Sequence, residues 1–200
     1  MKNFKTVLLA AVAAACFSCS KDDDPVYPPV NPNLLATPVT FTNNNQITIP
    51  DNANAVTSEI IIEQEGKIAD ASKVTISLAL AHGFCRDVVV ELVAPDGEST
   101  GLIKRVNGSN DYIPQNILNF NSMFNTPLNV SGVGDIPAGD YMPTAGENQN
   151  PATVVVRDLG EVLNGKQVKG TWKLRIADYA GGDIGSLRLW KLKFDAGAVQ

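Results

Sequence analysis

The sequence predicts an all-β domain, a sandwich or jelly roll, and two observations carry the prediction. Short apolar runs of strand length recur from residue 47 onward between turn residues, with no helical period of useful length. Near the end, residues 172–176 place Trp, Leu and Ile on one face of a strand, and a second apolar run spans 187–194. Many short strands with regular turn signals are typical of two-layer β architectures.

The earlier strands follow in order along the chain. The apolar or alternating runs that we interpret as strands are 58–64, 73–80, 88–94, 102–106 and 152–156. Turn sequences follow two of them, Pro-Asp-Gly at 95–97 and Asn-Gly at 107–108. Residues 107–149, rich in Asn, Gly and Pro, are expected to form long loops with one or two short strands.

The N-terminus has the pattern of an exported lipoprotein. A basic start and the apolar run 7–15, too short to span a bilayer, indicate a signal peptide over residues 1–18. Ser-Lys-Asp-Asp-Asp at 20–24 resembles the acidic export signal of Bacteroidetes surface lipoproteins, which favours Cys19 over Cys16 as the lipidated residue. A lipid on Cys19 would anchor the protein in the outer membrane, exposed at the cell surface; a simply secreted protein is the alternative.

The remaining organisation follows from composition. Prolines crowd residues 19–38, so this segment is expected to be an extended spacer, followed by one β-sandwich domain over 39–196. The net charge of −5, without a Lys/Arg cluster, argues against nucleic acid as a partner. Cys85 is expected to be a small buried apolar residue rather than a nucleophile.

Four segments carry recognisable motifs: His-Gly-Phe-Cys-Arg-Asp-Val at 82–88, Ala-Pro-Asp-Gly at 94–97, Asp-Tyr-Met-Pro at 140–143, and the expected hairpin 172–194, the most specific of them. Together they resemble the P domain, also called the Homo B domain, of subtilisin-like proprotein convertases. The residues assigned to this structural signature are His82, Asp87, Pro95, Gly97, Trp172, Gly185 and Trp190. The segment 120–122 departs from the family, because Phe-Asn-Ser stands where a Phe-x-Asp motif is usual.

The resemblance implies an eight-stranded jelly roll, similar to galactose-binding domains, that normally stabilises an adjoining protease domain. This chain has no room for that protease. His82 is its only histidine and belongs to the signature, so no catalytic residue is assigned. Asp158 and Glu161 flank Leu-Gly in an expected turn and are interpreted as solvated rather than as an acid–base pair.

The hairpin tip is a candidate calcium site. Asp178 and Asp183 lie at the two ends of a glycine-rich loop, and carboxylate oxygens are the ligands that Ca²⁺ prefers. Asp87 can join them from a neighbouring strand end. The alternative is that these carboxylates accept backbone N–H bonds and only shape the turns.

Three functions remain open at this point. The first is a non-catalytic, surface-tethered interaction or protease-accessory module with an unknown protein or glycan partner. The second is a carbohydrate-binding module using the loop residues Tyr112, Tyr141 or Tyr179, since Trp172 and Trp190 are expected in the core. The third is the serine-type endopeptidase or proteolysis role that the family label implies.

Overall fold

The computed structural model describes residues 35–52, 54–128 and 134–200. Cys16, Cys19 and the spacer up to residue 34 lie outside the described residues. In chain order the strands are β1 (Val39–Asn43), β2 (Ile47–Ile49), β3 (Val56–Ile62), β4 (Val74–Ala81), β5 (Val88–Val93), β6 (Ser99–Lys104), β7 (Leu118–Phe120), β8 (Gly139–Tyr141), β9 (Thr144–Ala145), β10 (Gly170–Asp178) and β11 (Gly185–Phe194).

These strands form two sheets that pack as a sandwich, so the predicted all-β class is confirmed. Sheet A has the order β1-β11-β4-β7-β8, with β2 also paired to β11, and sheet B has the order β3-β10-β5-β6-β9. The pairs are antiparallel except β6–β9 and β7–β8, which are parallel. The finer assignment to the jelly-roll class stays a prediction.

The core lies between the two sheets, and the long strands β10 and β11 contribute large side chains to it. Trp172, Leu174 and Ile176 point inward from β10 and are fully buried. On β11 a bulge between Leu187 and Leu189 shifts the alternation, so that Leu187 and Trp190 both face inward. Both tryptophans therefore lie in the core as expected, Trp172 through the alternating pattern and Trp190 through the bulge.

Polar groups of the two tryptophans are satisfied inside the sandwich. Trp190 Nε1 donates to Ser58 Oγ of the opposite sheet at 3.0 Å, and Trp172 Nε1 donates to the Val168 carbonyl at 2.8 Å. A buried indole N–H without an acceptor costs free energy, so these bonds fix how each ring is oriented.

Several local predictions were wrong. Residues 172–194 do not pair as a β-hairpin, because β10 lies in sheet B and β11 lies in sheet A. Residues 152–156 form no strand; they cross the open edge of β6, where Gly101 N donates to the Val155 carbonyl and Arg157 N to Thr100 Oγ1. Leu159 and Gly160, expected in a turn, instead begin the short helix α1 (Leu159–Leu163). Asp158 caps this helix by accepting from Glu161 N, and the buried apolar side chains of Leu159, Val162 and Leu163 hold it to the domain.

The packed region extends on both sides of residues 39–196. Leu35 N donates to the Val199 carbonyl, and Ala198 and Val199 are buried. No helix among the described residues is long and apolar enough to cross a membrane.

Candidate functional site

The carboxylates chosen from the sequence converge at one end of the sandwich. Asp178 ends β10 opposite Val88, so Asp87 in the preceding turn is its neighbour across the sheet. Asp87 belongs to a 3-10 turn, Cys85–Asp87, that leads into β5, and its carbonyl accepts from Tyr179 N. His82 follows β4, and Asp183 stands just before β11. Residues distant in sequence thus share the junction between the two sheets.

His82 and Asp178 form a fully buried pair at the centre of this junction. His82 Nε2 lies 3.3 Å from Asp178 Oδ2, and neither side chain has exposed surface. His82 Nδ1 lies 3.2 Å from Phe84 N and 3.1 Å from the Phe84 carbonyl. Asp178 Oδ1 accepts from Ala180 N at 3.0 Å. Both ring nitrogens therefore face protein groups, and the pair links the end of sheet A to the end of sheet B.

Asp87 lies beside this pair at the margin of the interior. Arg105 Nη2 is 3.5 Å from its Oδ1, and Arg105 Nε donates to the Arg86 carbonyl at 2.8 Å. Burial raises the pKa of the Asp87 carboxyl above its ordinary value of 3.8, and the Asp178 charge raises it further, while Arg105 partly offsets both. The ionised form of Asp87 is consequently less favourable in the folded protein than in the unfolded chain.

Asp183 packs against a glycine at the solvent side of the junction. A Cβ atom at Gly83 would lie 2.8 Å from Asp183 Oδ1, so a larger residue at position 83 would displace the Asp183 carboxylate. The loop between β10 and β11 is held by Asp51, whose two carboxylate oxygens accept from Gly182 N at 3.1 and 3.2 Å. Asp51 was not assigned to the site from the sequence.

The carboxylates share a region but not a coordination sphere. Within the described ranges, no group of three or more His, Cys, Asp or Glu side chains converges as a metal site would require. Asp178 Oδ1 already accepts from Ala180 N, while its Oδ2 lies 3.3 Å from His82 Nε2 without forming a hydrogen bond. Calcium at the loop between β10 and β11 stays a prediction, with Asp183 and Asp87 as the carboxylates closer to solvent.

The other signature residues shape turns and allow close backbone packing. Gly97 has φ +89° in the turn after β5, a conformation that L side chains rarely adopt. Pro95 packs on Gly170, where a Cβ would lie 2.7 Å from the proline Cβ. A Cβ at Gly185 would lie 2.7 Å from both the Ala81 carbonyl and His82 Cδ2, so glycine lets β11 start against the His82 ring.

Ser122 stands at the aspartate position of the Phe-x-Asp motif, so this chain has no carboxylate there. The neighbouring Asn121 is buried and has a structural role. Its Nδ2 donates to the carbonyls of Ser72 and Val74, both at 2.9 Å, and its Oδ1 accepts from Met123 N.

The outer face of sheet B holds charged residues that were not singled out from the sequence. Glu91 is buried there, and it accepts from Arg175 Nε at 2.8 Å and from Ser99 Oγ at 2.6 Å. Lys104 is buried too, and its Nζ donates to the Val154 carbonyl at 2.6 Å. Glu91 and Lys104 each interrupt an apolar strand run in the sequence, and this pattern could have identified them, because a buried charge needs a partner.

Comparisons with known proteins point to the same family as the motifs. Residues 137–194 match the sequence model of the proprotein convertase P-domain. The chain is 27% identical over 154 residues to a transglutaminase-activating metalloprotease of Streptomyces mobaraensis, covering 77% of this chain and 15% of that protein. It is 29% identical over 156 residues to leupeptin-inactivating enzyme 1 of Streptomyces exfoliatus, covering 77% of this chain and 26% of that protein.

A solved structure, the serine protease of Aeromonas sobria in complex with its chaperone, is 16% identical with a TM-score of 0.42, covering 82% of this chain and 28% of that one. The chain spans only a small part of each curated relative, so the activities in their names belong to those longer proteins. The resemblance first seen in the motifs is confirmed at the level of the family match: residues 137–194, which contain β10 and β11, match the proprotein convertase P-domain model.

Proposed function

We propose that this protein is a non-catalytic, surface-tethered interaction module that acts as an accessory to a protease. The observation that carries the proposal is the state of His82, the only histidine of the chain. A serine-protease triad needs a histidine that can exchange a proton with a nucleophile. Here both ring nitrogens face Asp178 or the Phe84 backbone, and the side chain has no exposed surface. This arrangement favours a structural role for His82.

The accessory role takes its support from the relatives. The P-domain match and the similarity to two proteins named as a metalloprotease and a leupeptin-inactivating enzyme associate this domain with proteolysis. Sugar binding has less support, because most of the aromatic rings that could stack on a sugar are buried. Trp172 and Trp190 are fully buried, and Tyr112 and Tyr141 are buried as well, which leaves Tyr179 as the half-exposed one of the three loop tyrosines.

The test is a pull-down from solubilised native outer membrane with residues 35–200 fused to an affinity tag. We expect a subtilisin-like protease among the specific hits, and slower thermal inactivation of that protease when the purified domain is added. Recovery of a polysaccharide without any protease would contradict the accessory role and favour carbohydrate binding.

A peptidase assay tests the non-catalytic part separately. The purified protein should not cleave unfolded casein, with or without Ca²⁺. Cleavage that is lost in a His82→Asn variant whose circular dichroism spectrum is unchanged would overturn the proposal.

A further inference from the structure

The outer face of sheet B carries a groove along β10. It is about 800 Å³ in volume and continues at Arg175 into a smaller cavity of about 190 Å³ that Glu91 and Tyr179 help to line. We call the larger one the β10 groove; its charged lining residues are Lys169, Lys173 and Arg175, with Thr57, Thr171 and Pro95 between and beside them.

The charged side chains that line the groove are cations, on a protein that is anionic as a whole. Lys169, Lys173 and Arg175 line it with no carboxylate among the described lining residues, whereas the chain has a net charge of −5. The three side chains remain 46%, 43% and 48% exposed, so they are open to a ligand. Each is paired with a carboxylate beside the groove, so an acidic ligand has to compete with that carboxylate.

The existing ion pairs of these cations do not close the groove. Lys169 is paired with Glu65 at 2.5 Å and Lys173 with Glu59 at 3.2 Å. Both pairs are exposed, and exposed pairs contribute only about 0–1 kcal/mol, so a ligand carboxylate can replace the rim glutamates at small cost. Arg175 is held by the buried Glu91 through Nε and Nη2, which leaves the other terminal nitrogen for a ligand.

The spacing of the cations matches an extended chain. Alternate residues of a strand point to the same side and repeat every ~6.7 Å, which is the spacing of Lys173 and Arg175 on β10. Lys169 precedes the strand, beyond Gly170 with its φ of +131°. An extended peptide has the same repeat, so two of its carboxylates at alternate positions would meet Lys173 and Arg175 in register. The floor between the cations consists of Thr57 and Thr171 hydroxyls and the apolar surface of Val93 and Pro95, which suits the small side chains between those carboxylates.

We propose that the β10 groove binds an extended peptide segment with acidic side chains at alternate positions, presented by a partner protein. This inference deepens the proposed accessory function and rests on it for the identity of the partner. A nucleic acid would also bring negative charge, but it offers nothing for the apolar floor and would be repelled by the anionic remainder of the surface.

The test is a fluorescence-anisotropy titration with labelled seven-residue peptides in 50 mM NaCl. The probe is Glu-Ser-Glu-Ser-Glu-Ser-Glu; the comparisons are the rearranged peptide Ser-Glu-Glu-Glu-Glu-Ser-Ser, the basic peptide Lys-Ser-Lys-Ser-Lys-Ser-Lys and an eight-nucleotide oligo-dT. We expect the alternating acidic peptide to bind about tenfold more tightly than the rearranged one, which corresponds to about 1.4 kcal/mol, or two exposed ion pairs in register. In 500 mM NaCl the binding should weaken, because the contacts are exposed charges.

Matched variants separate the groove from general charge effects. Lys173→Glu should weaken the binding about tenfold or more, and Lys173→Gln should weaken it less. Lys193→Glu is the control: Lys193 lies on sheet A, is 46% exposed and is paired with Asp195, like Lys169 with Glu65. It should change the dissociation constant by less than about twofold, since it lies far from the ligand charges.

Three results would overturn the inference: equal affinity for the rearranged peptide or oligo-dT, equal weakening by Lys193→Glu, or no saturable binding below about 5 mM, which corresponds to roughly −3 kcal/mol. The titration contains no protease. A negative titration with a positive pull-down therefore refutes the groove alone, and a positive titration with a negative pull-down refutes the accessory role alone.

Discussion

Replacing Trp172 by Ala should remove a large part of the stability of this domain. Trp172 has no exposed surface and lies on β10 of sheet B, opposite Ile60 of β3. It donates its Nε1 hydrogen to the Val168 carbonyl at 2.8 Å. Truncating a buried Trp to Ala costs about 3–5 kcal/mol from the lost transfer free energy and the cavity that remains. The stability of a whole domain is only about 5–15 kcal/mol.

The assay is thermal unfolding followed by circular dichroism at 218 nm. For a domain of this size 1 kcal/mol corresponds to about 2–4 °C, so the Tm should fall by about 6–20 °C. Trp172→Phe keeps most of the apolar volume but leaves the buried Val168 carbonyl without its donor, which should cost about 1–3 kcal/mol. Ile61→Ala on the neighbouring strand β3 is the matched control, because Ile61 is 66% exposed and should change stability by less than about 0.5 kcal/mol.

A Tm change below about 2 °C for Trp172→Ala, with a cooperative transition retained, would refute the reasoning. It would mean that the ring does not fill the space between the sheets. An equal loss in Ile61→Ala would refute it in another way, because the effect would then not depend on burial.

Three further predictions concern the junction and the anchor. Because the pKa of Asp87 is raised in the folded state, its contribution to stability is largest below its ordinary pKa of 3.8 and is lost as the pH rises through the raised value. In urea unfolding, Asp87→Asn should therefore increase the free energy of unfolding at pH 7 and leave it unchanged at pH 3. Millimolar CaCl₂ should raise the Tm relative to EDTA, because calcium bound at a hundredfold excess over its Kd adds about 2.7 kcal/mol to the free energy of unfolding. Asp183→Asn should abolish this rise, and Asp178→Asn should also destabilise the protein without calcium. Identical melts in both buffers would mean that the loop carboxylates only shape the turn. Mass spectrometry of the mature N-terminal peptide should find a lipidated Cys19, and an unmodified start at Ser20 or later would contradict the anchor.

The candidate site was predictable only in part. Asp178 and Asp183 were identified from the glycine-rich acidic loop, Asp87 from a neighbouring strand end, and His82 from the resemblance to the P domain. Their pairing was not, since the 3.3 Å contact between His82 and Asp178 joins the ends of strands from different sheets. The sequence predicts calcium between the loop carboxylates of Asp178 and Asp183. In the structure, the Asp178 carboxylate lies against the buried His82.

Local patterns by themselves determined the all-β class and the inward face of β10, which carries Trp172. They did not determine how β10 and β11 pair, because the expected hairpin is replaced by two strands in opposite sheets. Alternation with a period of two depends only on neighbouring residues, and a strand with one apolar face must turn that face to the core. The same reasoning failed for residues 152–156, whose β-branched run looks like a strand in isolation. There the tertiary structure decided, because this segment finds its hydrogen-bonding partners at the edge of β6 and with Lys104 rather than in a ladder of its own.

The β10 groove also became visible only in three dimensions. Lys173 and Arg175 lie on the outer face of β10, Lys169 lies just before the strand, and each of the three has a carboxylate partner that is remote in sequence. Sheet order brings Thr57 and Pro95 to either side of β10 and makes a concave surface from residues of three segments. The sequence alone determined which way each side chain of β10 points; the long-range pairing of strands, which no local pattern encodes, decided what lies beside it.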